Sequence, residues 1–312
     1  IILFMYFSGK LSFTEKLTAR QRDWIYFLAL FFTTRFYLHN FDEGQVNFLM
    51  MTAILLGLYA EKQNKSILAG ILFGFSILVK YMGVVFIPYL LIKRRFKAVL
   101  FIVLALIAYG LIPALFWGWE RNLFLQGQYL PFVCKTSLDM SSLSDYANQS
   151  LMAMAVRFFS SHGNYGINLV NLKDYQLGFL TGCLYVFIYL IAIYPGESYK
   201  SRETNRQLDK IDLALLFICA ALFNPNAWMH AFIFLTFGYM VIFDYLFRIS
   251  FRDKFVLTLA IISFIFHSFT TSAITQFWNR DFFEIFSFVA VGALFVFMAL
   301  LKIKYSPGED YS

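Results

Sequence analysis

Apolar stretches separated by short polar turns recur along the entire chain, and this pattern predicts an all-α, polytopic membrane protein. Backbone that crosses a membrane must satisfy its own hydrogen bonds, which favours helices for runs of this length. The predicted segments are 1–7, 24–38, 46–60, 66–79, 81–92, 97–118, 177–195, 212–223, 229–247, 255–275 and 283–301. They give a single membrane domain over 1–312, with about ten transmembrane helices and an outer loop inserted at 119–176.

Two neighbouring segments, 66–79 and 81–92, are shorter than the roughly 20 residues that span a bilayer upright. They meet at Lys80, and short or broken helices are tolerated in a membrane where they line protein or water. We therefore predict a hairpin of short, cavity-lining helices with Lys80 at its tip. Within the outer loop, Leu151–Phe159 is predicted to form an amphipathic helix at the membrane interface.

Composition and charge support this interpretation. Of 312 residues, 60% are hydrophobic and 14% are charged, whereas a soluble domain carries about a quarter charged residues. The net charge of +7 does not indicate nucleic-acid binding, because most of the 26 Lys and Arg lie in one set of alternate short loops, which the positive-inside rule places in the cytoplasm. The cations of that set are Lys10, Lys16, Arg20, Arg22, Lys62, Lys65, Lys93, Arg94, Arg95, Lys97, Lys200, Arg202, Arg206, Lys210, Arg248, Arg252, Lys254, Lys302 and Lys304.

The polar stretches that could carry chemistry then fall on the outer side of the membrane. They are 42–47, the Lys80 tip, the 119–176 loop and the turns at 224–228 and 276–281. ATP and nucleotide sugars are absent there, so an outer-face enzyme must take an activated substrate from the lipid. The three cysteines have no zinc or disulfide spacing, and the sequence indicates no certain cofactor, with a divalent metal left open.

The stretch Asn40–Asn47 combines two acids and an amide pair at the start of an apolar segment. Asp42 is a candidate proton acceptor, and Gln45 and Asn47 are candidate sugar- or phosphate-binding groups, because polar groups at a membrane boundary are costly to desolvate. The alternative is an ordinary solvated helix start, since acids and Asn stabilise helix N-termini.

Further candidates are Lys80, Asn148, Asn224 and His230. A lone cation between two apolar stretches suits a lipid phosphate, with a lysine that snorkels to the interface as the alternative. Asn224 and His230 belong to a proline-broken turn, where the histidine could act as acid, base or hydrogen-bond donor to phosphate. The alternative there is a capped interfacial turn. Asn148 could contact an acceptor or a lipid headgroup, or simply cap a helix.

These motifs follow one another in an order that resembles a known family. Gly44–Asn47 opens a helix, Leu68–Gly74 leads to Lys80, Asn148–Ser150 lies in the outer loop, and Asn224–His230 comes last. In order and spacing the chain resembles glycosyltransferase family 87. This is a bacterial GT-C group of polyprenyl-phosphate-sugar-dependent enzymes that includes mannosyl- and arabinofuranosyltransferases.

The resemblance implies an inverting hexosyl- or pentosyltransferase of the bacterial inner membrane with a GT-C-like fold. Such an enzyme moves a mannose- or arabinose-like sugar from a polyprenyl-phosphate donor to a glycan or glycolipid acceptor on the extracytoplasmic face. His230 and Asp42 are then the catalytic candidates. The candidates for binding the donor phosphate and sugar are Gln45, Asn47, Lys80, Asn148 and Asn224.

The chain departs from the family pattern at several positions. Asn224 and Ala227 replace serines, and Gly83 stands where the family has a proline after the lysine. The family's catalytic carboxylate lies in an outer loop after the first membrane helix, whereas Ile1–Phe7 reads as the tail of a helix. We therefore expect the N-terminal helix and first outer loop to be missing, and this chain alone to be inactive unless an acid of 42–43 supplies the base.

Two other function classes remain open at this point. A transporter or flippase for lipid-linked saccharides would line a path from both membrane faces with polar residues, but no inverted repeat is visible and the polar clusters gather on one side. A lipid-linked glycan polymerase or ligase would rely on arginines and a histidine of the outer loop, here Arg121, Arg157 and His162.

Overall fold

The computed structural model describes residues 2–13, 17–163, 165–195, 208–269 and 281–306. Every element in these ranges is a helix, which confirms the all-α class for this part of the chain. The elements are α1 (Ile2–Ser12), α2 (Ala19–Asp42), α3 (Asn47–Lys62), α4 (Ser66–Val79), a 3-10 helix (Tyr81–Val85) continued by α5 (Phe86–Ile92), α6 (Phe96–Leu111), α7 (Ala114–Trp117), α8 (Trp119–Leu138), α9 (Met140–Leu143), α10 (Leu151–Phe159), α11 (Asp174–Ile193), α12 (Lys210–Leu222), a 3-10 helix (Met229–Phe234) continued by α13 (Leu235–Arg248), α14 (Lys254–Phe269), α15 (Phe282–Ile285) and α16 (Phe288–Lys304).

Length and hydropathy of these helices support a membrane location. Within the described ranges, three helical stretches are long and apolar enough to cross a membrane: Phe96–Trp117, Asp174–Ile193 and Met229–Arg248. In the most apolar 18-residue window of Met229–Arg248, 94% of the residues are buried, against 11% in that of Phe96–Trp117. A helix that is apolar all round and buried belongs at the centre of a bundle, so α13 forms the core and α6 lies at the periphery. The expected number of about ten crossings stays a prediction.

The hairpin predicted around Lys80 is confirmed. Lys80 adopts an extended conformation, with φ −152° and ψ 105°, between α4 and the following 3-10 helix. The 3-10 helix that returns along the hairpin lies close to α4, as shown by the 2.3 Å that would separate a Cβ on Gly83 from Ser76 Oγ. At the other end, Arg95 Nη1 donates to Asn64 Oδ1 at 3.2 Å, so the chain has come back to the start of α4.

Ion pairs join the helix ends that carry the basic loops. Asp212 lies 2.8 Å from Lys304 Nζ and 3.7 Å from Lys93 Nζ, and Asp244 lies 2.7 Å from Lys210 Nζ. These charges are largely buried, so each needs an opposite charge beside it. The loops predicted to share one side of the membrane therefore share one end of the bundle. Four of the cations assigned to that side lie outside the described residues: Lys16, Lys200, Arg202 and Arg206.

The segment predicted as the first part of the outer loop differs from expectation, because Trp119–Leu138 forms the 20-residue helix α8. It is attached to α6 by polar groups, with Asn122 Nδ2 donating to Gly110 O at 3.0 Å and Gln126 Nε2 donating to the same carbonyl. Its apolar side chains are mostly exposed. The core-facing apolar periodicity that predicts helices is therefore absent from this segment.

The later part of the outer loop matches expectation. The helix α10 has the predicted bounds, Leu151–Phe159. Its buried side packs against α9 and α11 in a small second core that includes Leu143, Val156 and Leu177. This core fixes the outer loop on the bundle.

Close packing of α4 on α6 depends on two glycines of the Leu68–Gly74 motif. A Cβ on Gly70 would lie 2.3 Å from Phe101 Cβ, and a Cβ on Gly74 would lie 2.8 Å from Ala105 Cβ. Small residues four apart let helix backbones approach closely, which is a common basis of helix association in membranes. The motif therefore holds the hairpin that presents Lys80.

Gly70→Ala is expected to destabilise the protein by about 1–3 kcal/mol, because the added methyl group overlaps the α6 backbone. Gly127→Ala is the matched control, since Gly127 is also helical but has nothing within 4 Å of its Cβ position. The control should be neutral or stabilising by up to about 1 kcal/mol. Thermal unfolding in detergent measures both, and equal midpoints for the two variants would contradict the packing argument.

Candidate functional site

Two cavities open at the end of the bundle opposite the ion pairs of Asp212 and Asp244, and Trp228 lines both. The smaller cavity, of about 450 Å³, is lined by Gln45, Lys80, Tyr81, Met82, Asn224, Asn226, Trp228 and His230. The larger cavity, of about 670 Å³, is lined by Phe31, Phe32, Thr34, Arg35, Leu38, His39, Asp42, Glu43, Tyr146, Ala147, Trp228, Met229, Phe264, His267, Ser268 and Glu284. Both volumes fall in the range of small-molecule sites.

Lys80 is the electrostatic centre of the smaller cavity. Its Nζ donates to Gln45 Oε1 at 2.7 Å and to Asn47 Oδ1 at 2.8 Å. An ammonium has three donors, so two are satisfied by neutral oxygens and one is left for a ligand. Among the described residues no carboxylate forms an ion pair with Lys80, so its positive charge is available to an anion.

The turn between α2 and α3 positions the amides of Gln45 and Asn47 next to Lys80. Gln45 N donates to Asn40 O at 2.8 Å, and Asn40 Nδ2 donates back to Gln45 O at 2.9 Å. Gly44 has φ +57°, a conformation that favours glycine. The turn closes tightly, and Gln45 and Asn47 are directed at the hairpin tip. Asn47 is fully buried, and its Nδ2 has no hydrogen-bond acceptor among the described residues.

His230 lies in the first turn of the 3-10 helix that precedes α13. Only 5% of the residue is exposed, and its Nδ1 has no hydrogen-bond partner in the described ranges. Its ring centroid lies 5.6 Å from that of His39 and 6.2 Å from that of Trp228. These three rings form the boundary between the two cavities, which we call the aromatic wall. His230 faces the smaller cavity and His39 the larger one.

Asn148 lies behind the 224–228 turn and lines neither cavity. Its Nδ2 donates to Pro225 O at 2.6 Å, and its Oδ1 accepts from Ser150 N at 3.1 Å. The next residue, Gln149, donates its backbone N–H to Ala227 O at 2.8 Å. Asn148 therefore positions the segment that carries Asn224 and His230, whereas Asn224 itself lines the smaller cavity.

Arg157 is a structural residue, whereas the sequence made it a candidate of the polymerase or ligase alternative, within the predicted interface helix of the outer loop. It is fully buried in α10. Its guanidinium donates to four oxygens: Asp145 O at 2.6 Å, Asn148 O at 2.9 Å, Ile285 O at 3.0 Å and Ser287 Oγ at 2.6 Å. A single arginine in an apolar helical stretch was the available signal. The Arg157 side chain links the outer loop to the turn before α16.

Asp42 is exposed at the rim of the larger cavity, apart from the Lys80 group. Arg35 lies in the same cavity and was not singled out from the sequence. It donates to His267 O at 2.5 Å and to Met229 Sδ at 2.7 Å, and its Nη2 lies 3.8 Å from a Glu284 carboxylate oxygen. Within the described residues, no group of three or more His, Cys, Asp or Glu could hold a metal ion.

Arg157→Lys is expected to lower stability by about 3 kcal/mol, because one ammonium cannot reproduce the planar fork and leaves buried acceptors unsatisfied. Arg121→Lys is the control, since Arg121 is exposed on α8 and such a change should stay within about 0.5 kcal/mol. Thermal unfolding again provides the measurement. A stable Arg157→Lys variant would show that the four contacts do not hold the loop.

Comparison with known proteins gives one match. A sequence model described as glycosyltransferase family 87 matches residues 2–205, which is more than half of the chain. No curated protein and no solved structure matches the chain. The matched range includes the α2–α3 turn and the Lys80 hairpin, whereas the segment carrying His230 lies beyond it.

Proposed function

This chain belongs to glycosyltransferase family 87, and we propose that it transfers a mannose- or arabinose-like sugar from a polyprenyl-phosphate donor. The acceptor is a glycan or glycolipid on the extracytoplasmic face of a bacterial inner membrane. Glycosyltransferase activity follows from the family. The donor, the sugar, the acceptor and the orientation are our proposal.

The observation that carries the donor assignment is the charge of the smaller cavity. Its one charged lining residue, within the described part of the chain, is Lys80. Amide groups of Gln45 and Asn47 hold this lysine without neutralising it. A fixed positive charge beside neutral hydrogen-bonding groups suits a phosphate attached to a sugar. The outward orientation is supported by the position of both cavities, at the end opposite the basic loops.

The proposed reaction is a single displacement. An acceptor hydroxyl oxygen forms a bond to the anomeric carbon of the donor sugar, while the bond from that carbon to the phosphate oxygen breaks. The electron pair of the broken bond leaves with polyprenyl phosphate, and the configuration of the anomeric carbon is inverted. The hydroxyl proton passes to a carboxylate, for which Asp42 is the candidate in this chain.

Lys80 and His230 stabilise the leaving group in this mechanism. The donor phosphodiester carries one negative charge and the departing phosphate monoester carries two, so a nearby cation binds the transition state more tightly than the ground state. A neutral His230 adds a ring N–H donor to the phosphate. Gln45 and Asn224 line the cavity and orient the donor through their amides, and the buried Asn47 holds Lys80 in place.

Lys80→Ala is expected to lower kcat/KM about 100- to 1,000-fold, the usual effect of removing one preorganised transition-state contact. Lys65→Ala is the matched control, because Lys65 is exposed at the opposite end of the bundle. The assay uses the full-length protein in membranes, with polyprenyl-phospho-mannose and polyprenyl-phospho-arabinofuranose as donors. Turnover by Lys80→Ala equal to that of the control would refute the assignment of Lys80 to the donor phosphate.

His230→Ala is expected to lower kcat about 100-fold, with a smaller change in the donor KM, because its contact strengthens as charge develops on the phosphate. His162→Ala serves as the control, since His162 pairs with Asp174 in the outer loop. Both variants are measured with the donors used for Lys80. If the effect of His230→Ala falls on KM alone, His230 binds the substrate without assisting the departure of the phosphate.

A further inference from the structure

The two cavities have opposite charge. Among the described residues no carboxylate lines the smaller cavity, which contains Lys80. The larger cavity has three carboxylates, Asp42, Glu43 and Glu284, and one arginine. Like charges placed together cost free energy, so a phosphodiester is favoured in the smaller cavity and disfavoured in the larger one.

Arg35 does not reverse this preference. Its guanidinium contacts the Met229 sulfur and the His267 carbonyl, and it lies 3.8 Å from Glu284. Its charge is therefore partly compensated by protein groups. The two rim acids, Asp42 and Glu43, are exposed, and their oxygens can accept hydrogen bonds from sugar hydroxyls.

The larger cavity also has an apolar side that opens laterally. Phe31 is 49% exposed and Leu38 is 58% exposed. Both belong to an outward-facing stripe of α2 that continues through Phe27 and Trp24 at helical spacing. Phe264 of α14 lines the same cavity. The Phe264 ring packs on those of Phe31, at 5.3 Å, and Phe32, at 4.7 Å. In a membrane the exposed stripe of α2 contacts lipid directly beside the cavity.

The two cavities adjoin at the aromatic wall. Trp228 lines both, and the ring of His39 from the larger cavity lies 5.6 Å from the ring of His230 from the smaller one. Indole faces pack well against the apolar faces of other rings, including those of sugars. The two cavities are thus neighbours, and a hydroxyl group of a saccharide in the larger one reaches the anomeric carbon by passing the edge of the wall.

We propose that the larger cavity is the acceptor site and takes an uncharged saccharide carried on a lipid. The sugar lies against the acids and Trp228, and the lipid chain lies along the exposed apolar stripe of α2. This inference rests on the proposed function, because it assigns the second substrate of the same transfer. It also explains why the proton-accepting candidate Asp42 is separate from Lys80: the acceptor hydroxyl releases its proton on the acidic side.

Photolabelling in lipid nanodiscs tests the location. Octyl mannoside and octyl arabinofuranoside, each with a diazirine in the alkyl chain, are bound to the full-length protein, irradiated and mapped by peptide mass spectrometry. Labels are expected in 31–43 and 264–268 and should persist when excess polyprenyl phosphate is added. Leu38→Trp should lower their yield about tenfold by filling the opening. Leu100→Trp should leave it unchanged, because Leu100 is equally exposed, at 55%, but lies on α6.

Three results would overturn the acceptor assignment. These are labels in 81–82 or 224–226, displacement of the label by polyprenyl phosphate, or no saturable label with either glycoside. The donor assignment is tested separately in the same nanodiscs by polyprenyl phosphate binding to Lys80→Ala. If Lys80→Ala binds polyprenyl phosphate as the unchanged protein does, the donor assignment is refuted. The labelling result still decides the acceptor assignment independently.

Discussion

The site depends on one partly buried positive charge that the protein binds without neutralising. At the opposite end of the bundle, buried cations lie beside carboxylates, as Lys304 does with Asp212 at 2.8 Å. Lys80 instead donates to the amide oxygens of Gln45 and Asn47. An unpaired charge in a partly buried site is costly, so the surrounding structure must hold it there. The hairpin and the Gly44 turn provide that support.

Sequence reasoning succeeded where a turn separates two apolar segments. It predicted the hairpin at Lys80 and the bounds of α10, because helix lengths fix which polar residues reach the same end of a bundle. It could not tell a side chain that lines a cavity from one that binds a nearby carbonyl. Asn148 and Arg157 are of the second kind. The helix α8 was missed because polar contacts, not an apolar stripe, attach it to α6.

The motifs of the family therefore divide by what they touch. Gly70 and Gly74 hold one helix against another, and Asn148 holds a turn. Gln45, Lys80, Asn224 and His230 instead line space that a ligand can occupy, and Asn47 holds Lys80. The motifs shared with the family thus include both packing residues and cavity residues. The effect of substituting a motif residue has to be interpreted from the contacts of that residue.

The glycine contacts between α4 and α6 also fix a distance along the chain. With Gly74 pressed against α6, the six positions that lead to Lys80 set the direction in which the lysine emerges. One inserted residue would turn it by about 100° around the helix axis and move it away from Gln45. This spacing is therefore intolerant of insertions and deletions, and its constancy among relatives should identify those that keep the same arrangement of Lys80 and Gln45.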